Sequence, residues 1–99
     1  MKHFVISVHY TAPIEKIDAL LVEHRAFLQI HFDAGTLLMS GPQEPRTGGI
    51  ILARAASRDA IESLVSKDPF SLAGVATYAI TEFNPVKQQG FIADWIAGK

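Results

Sequence analysis

Two hydrophobic periods alternate along the chain. From Lys2 to Tyr10 the period is two, with Phe4, Ile6, Val8 and Tyr10 on one face and His3, Val5, Ser7 and His9 on the other. This predicts a strand at about residues 2–10, ended by Thr11, Ala12 and Pro13. From Ile14 the spacing lengthens: Ile14, Ile17, Leu20 with Leu21, His24, Phe27 with Leu28, and His31 recur at i, i+3, i+4 and i+7, the stripe of one helix over about 14–33. Thr11 is the candidate cap, Pro13 an early helical residue, and Glu15 and Asp18 lie near the positive end of the helix dipole. Gly35 suits the left-handed residue that closes such a helix, because it has no Cβ to clash at positive φ.

"TLLMSGP" then predicts a short strand, "QEPRTGG" a turn-rich connection and "GIILARAA" a second strand of the same hairpin. Ser57 is a candidate N-cap for a helix carrying Ala60, Ile61, Leu64 and Val65 on one face, with Pro69 expected to stop it. "GVATYAITEF" alternates again and predicts the last strand. The order βαββαβ is that of a ferredoxin-like α+β fold with an antiparallel four-stranded sheet. Its two helices cover only one sheet face, yet the strands carry apolar residues on both. A homodimer through the open face is therefore expected. In the tail, Phe91, Ile92, Trp95 and Ile96 have the spacing of a short amphipathic helix.

With 99 residues, 48% hydrophobic and 19% charged, the chain has the size and composition of one globular domain. A formal charge of −1 supplies no field to gather nucleic acid or an anionic membrane, so neither partner is expected. The absence of cysteine removes disulfides, thiolate nucleophiles and Cys-based metal sites, and is compatible with a cytoplasmic setting. No apolar run approaches the ~18 residues of a membrane span, and His3, Ser7 and His9 interrupt the N-terminal run where a signal peptide would be apolar. P-loop, Rossmann and zincin patterns are absent, and the four histidines lack metal-ligand spacing, so no cofactor or metal is expected.

Candidate chemistry centres on His24, which lies on the edge of the apolar stripe and must satisfy two ring nitrogens. Two readings fit: a packed histidine bonded to a carbonyl, or a general acid/base. Arg25 points about 100° round the helix, as a solvated group or as a clamp for an anionic ligand. His31 lies about 10 Å along the axis, too far to share a metal with His24. In "SKDPFSLAGV", Asp68 and Pro69 suit a helix-ending turn, Phe70 the core and Gly74 a turn.

Taken in order around βαββαβ, "EHRAFL", "AGTLLMSGP", "ASRDAIESLVSKDPF" and "AGV" resemble the YCII-related (YciI-like) family over about residues 1–86, leaving 87–99 as an extension. The resemblance implies a dimeric α+β barrel with a His–Asp active-site pair, His24 matching the family's helix-one histidine and Asp68 the Asp of its D-P-[FY] motif. It implies a cofactor-independent lyase or isomerase acting by proton transfer on small cyclic or aromatic acids, as in dehydrochlorination. Asp68 would then fix the imidazole tautomer. Arg25, Ser40, Gly41, Pro42, Pro69 and Phe70 would line the pocket. The alternative is a non-catalytic dimeric module binding a small ligand. The pairing has a geometric condition: His24 lies ten residues into the helix, about 15 Å from its start, so Asp68 reaches it only if the "KDPF" turn folds inward.

Overall fold

The computed structural model describes Met1–Lys99. The alternating segments form four strands, β1 (Lys2–Tyr10), β2 (Leu37–Pro42), β3 (Gly48–Ala55) and β4 (Ala76–Phe83), in one sheet of order β2-β3-β1-β4. Every neighbouring pair is antiparallel, and on the covered face Ile6 sits between Ile51 and Ile80. β3 approaches β1 so closely at Gly48 that a Cβ there would lie 1.8 Å from the Val8 carbonyl oxygen. Four helices accompany the sheet: α1 (Ile14–Ala19), α2 (Leu21–Asp33), α3 (Arg58–Val65) and α4 (Pro69–Leu72). The core they share with the sheet centres on the fully buried Phe4, Ile6, Ile17, Ile61 and Phe70. This is the ferredoxin-like α+β arrangement that the order of periods predicts.

Three local expectations are corrected. The stripe over 14–33 is carried by two helices, because the backbone at Leu20 turns to φ −106°, ψ 2°. Leu20 N–H donates to the Ile17 carbonyl at 3.0 Å, a tighter i→i+3 bond, before His24 N–H restarts the ladder on Leu20 at 2.9 Å. Thr11 caps nothing: Pro13 occupies the N-cap position, and the Thr11 hydroxyl reaches the Gly74 carbonyl at 3.5 Å. Pro69 does not stop α3, which has already ended at Val65; it begins α4, where its fixed φ and missing N–H suit the first turn. Other signals read as expected. Ser57 accepts from Ala60 N–H at 3.2 Å, and Gly35 closes α2 at φ 79°.

The C-terminal segment forms a 3-10 turn (Gly90–Ile92) and α5 (Ala93–Ile96), and it packs on the sheet face opposite α1–α4. Trp95 Nε1 donates to the Gly35 carbonyl at 2.9 Å, its ring meets His3 edge-on at 5.7 Å, and the Arg54 guanidinium lies 5.1 Å from the ring centroid. His3 is thereby buried, whereas His9, on the same face, is exposed. Met39, Ile50 and Phe83 remain exposed. No helix is long and apolar enough to cross a membrane.

Candidate active site

The site begins with an N-cap. Asp68, in extended conformation and 1% exposed, accepts from Phe70 N–H at 3.0 Å through Oδ1 and so starts α4. The chain reaches this position through a tight turn after α3, in which Lys67 N–H donates to Leu64 at 3.1 Å and Asp68 N–H to Val65 at 3.2 Å. The turn directs residues 68–70 inward against α2. There the same Oδ1 lies 2.8 Å from His24 Nδ1. The Phe70 ring stacks on the imidazole, with centroids 3.9 Å apart and planes 7° from parallel.

Asp68 and Phe70 therefore fix His24 in two directions. The carboxylate oxygen accepts the Nδ1 proton and selects that tautomer for the neutral ring, so the lone pair lies on Nε2. The aromatic stack sets the plane of the ring. Nε2 has no hydrogen-bond partner in the protein, and His24 lines a cavity of about 350 Å³ between α2, the β2–β3 hairpin and Tyr10. A placed imidazole with one nitrogen bound to a buried carboxylate and the other open to a cavity can accept or deliver a proton. No three His, Asp or Glu side chains gather as they would to hold a metal ion.

The family model for the YCII-related domain matches residues 1–84. This chain belongs to that family. A search of curated proteins finds no match. Among solved structures, the YCII-related chain is similar to the 5-chloro-2-hydroxyhydroquinone dehydrochlorinase of Burkholderia phenoliruptrix AC1100, solved in complex with 2,5-dihydroxybenzoquinone. The TM-score is 0.72 at 21% identity, over 82% of this chain and 92% of that one. At that identity the likeness carries the fold.

Other residues singled out in the sequence divide between inside and outside the YCII-related cavity. Arg25, Gly41, Pro42 and Phe70 line it. Ser40 and Pro69 do not. Ser40 is exposed on the edge strand β2, and Pro69 contributes through its backbone at the start of α4. His31 meets Phe27 edge-on at 4.8 Å, away from this cavity.

Three residues that the sequence does not mark as site residues join the His24 surroundings. Tyr10 lines the cavity and meets Phe70 edge-on at 6.0 Å. Arg46, in the β2–β3 loop, also lines it, and its Nη2 donates to Asp18 Oδ1 at 2.7 Å. Tyr78, on β4 opposite Val8, has a buried hydroxyl with no hydrogen-bond partner. Burial, then the polar interaction of the hydroxyl with the Asp68 carboxylate and that carboxylate's charge, raise the Tyr78 phenol far above its ordinary value of 10.0. Tyr10 and Tyr78 share one sequence signal: a bulky residue with an O–H on the inward face of an alternating strand needs a polar neighbour.

Proposed function

We propose that this YCII-related chain catalyses proton transfer on a small organic molecule, with His24 as the base and Asp68 as its positioning partner, and without a cofactor. The observation that carries this reading is the 2.8 Å contact from Nδ1 to a carboxylate that is 1% exposed, which leaves Nε2 to the cavity. Nε2 takes a proton from a carbon beside an electron-withdrawing group, and the C–H electron pair stays on the substrate. Returning the proton at another carbon gives an isomerisation. If the electron pair instead expels chloride, the outcome is dehydrochlorination, and the imidazolium then loses its proton to solvent. Asp68 accepts from the imidazolium throughout and stabilises its charge. The printed activity of the solved neighbour, a dehydrochlorinase, is of this kind. The reading includes a homodimer through the open sheet face, supported by the exposed Met39, Ile50 and Phe83; sedimentation as a monomer refutes that part.

The test is carbon-bound hydrogen exchange in deuterated water, followed by NMR across a panel of hydroxylated quinones and small cyclic ketones and acids. Wild type exchanges at least one member, and His24→Ala lowers the rate by about 10²–10⁴ while melting as a folded protein. Equal exchange in His24→Ala removes His24 from the chemistry. Ligand binding without exchange in either protein establishes a binding module instead.

A further inference from the structure

The electrostatics of the cavity wall specify more than a proton acceptor. Two of the residues lining it, Arg25 and Arg46, are cationic, and none is Asp or Glu. Arg25 follows His24 directly on α2, and no hydrogen bond or ion pair within the chain occupies its guanidinium. Arg46 approaches from the β2–β3 loop, where one nitrogen is engaged by Asp18 at 2.7 Å. Asp18 is itself not part of the cavity lining, so its carboxylate reaches Arg46 from outside. A guanidinium offers five N–H donors in a plane matched to a carboxylate, and one surface partner leaves most of them free. The volume, about 350 Å³, lies at the low end of small-molecule sites and suits a single ring with short substituents.

We propose that the cavity selects a monocyclic organic anion, whose negative oxygen is held by Arg25 and Arg46, and that Asp18 competes with this anion for Arg46. The proposal rests on the reading of the His24 cavity as the functional site of an enzyme for small cyclic or aromatic acids, and it adds Arg46 as a specificity-determining residue and Asp18 as its competitor. The two guanidinia hold the anionic end of the ring, and the remaining ring carbons are left to face His24 Nε2. Arg46 thereby acts as a specificity residue on a loop, exchanging one carboxylate for another when the ligand enters.

The test compares benzoate with its neutral isostere benzamide, titrated into the full chain and followed by amide NMR shifts, so that it reads binding and needs no turnover. Benzoate is expected to bind roughly fivefold or more tightly than benzamide, with the preference falling as salt is raised. Arg25→Gln and Arg46→Gln each reduce that preference. Asp18→Asn increases it, because Arg46 is released. If Arg46 and Asp18 formed only a structural surface pair, Asp18→Asn would leave the ratio of the two affinities unchanged, and that result overturns the competition. Equal affinities for benzoate and benzamide, or no binding of benzoate at millimolar concentration, overturn the anion preference. These outcomes separate from the proton-transfer test: a benzoate preference without hydrogen exchange refutes the chemistry alone, and exchange without the preference refutes the anion site alone.

Discussion

Asp68 is the residue whose replacement tests the site most directly, because a single oxygen, Oδ1, serves both His24 Nδ1 at 2.8 Å and Phe70 N–H at 3.0 Å. Asp68→Ala removes both bonds. Loss of an N-cap costs about 1 kcal/mol. Leaving the Nδ1 donor of a side chain only 13% exposed without its partner costs about 1–3 kcal/mol more. The expected loss is therefore about 2–4 kcal/mol, or roughly 10–30 °C in melting temperature for a domain of this size. Asp68→Asn keeps a carbonyl oxygen in the same place and a residue equally suited to the N-cap. It gives up the negative charge and replaces Oδ2 by an amide NH2, at a cost of about 1 kcal/mol, or about 4–8 °C. Thermal unfolding by circular dichroism at one fixed protein concentration measures both, since association would otherwise move the midpoint. If Asp68→Ala melts within a few degrees of wild type, the oxygen holds neither partner. If Asn costs as much as Ala, the charge rather than the acceptor position dominates, and the shared-oxygen account is wrong.

Tyr78→Phe deletes a buried hydroxyl that has no partner, and is expected to raise the stability by about 1 kcal/mol because an unmet desolvation cost disappears. The same variant changes the alkaline limb. With its pKa raised in the fold, Tyr78 keeps its proton longer folded than unfolded, so its titration leaves stability unchanged below pH 10.0 and lowers it progressively above. Melting curves collected from neutral to alkaline pH should fall less steeply for Tyr78→Phe; superimposable curves refute the assignment. Trp95→Ala removes the 2.9 Å bond to Gly35, the Arg54 stack and the His3 contact, and should cost about 2–3 kcal/mol, below the full range for tryptophan because Trp95 is only half-buried. Faster amide exchange at residues 90–97 would accompany that loss, whereas an unchanged melting temperature would show that the C-terminal segment is not held by its tryptophan.

Elements were legible where one period ran unbroken over several turns, and illegible where a single residue changed the backbone. The period of two in residues 2–10 and 76–83 fixes which side chains face the helices, and β1 and β4 follow it. The stripe through Leu20 is equally regular, yet α1 and α2 separate there, because the break is one φ, ψ change that leaves the facing of Ile17 and Leu28 to the core intact. Long-range meetings were harder still. Arg46 and Asp18 are 28 positions apart and meet beside the cavity, a pairing that no local pattern encodes. The 15 Å separation worked out for an uninterrupted helix also omitted the inward course of residues 66–68, which carries Asp68 to His24 over 44 positions of sequence.

The D-P-F triplet explains why that meeting is nonetheless encoded in so few residues. Read locally, Asp followed by Pro ends a helix, and α3 does end just before it. The same two residues also start a helix, since Asp caps and Pro fits the first position, and the single turn that follows aims the Phe70 N–H back at the Asp68 carboxylate. This internal bond orients the carboxylate before any partner is considered. The next side chain in the turn, Phe70, then supplies a flat surface beside the carboxylate, at the spacing on which an imidazole can stack while bonding to Oδ1. The triplet is thus a preformed clamp with an acceptor on one side and a ring on the other, and α2 need only present a histidine to it. A substitution that keeps Asp68 and the stack but alters the entry turn, such as Ser66→Pro, tests this argument: it removes the Ser66 N–H bond to Glu62. A hydrogen bond of this kind is expected to give a downfield Nδ1 proton signal in wild type; the clamp is local if the variant retains that signal, and it depends on α3 if the signal disappears while the core remains folded.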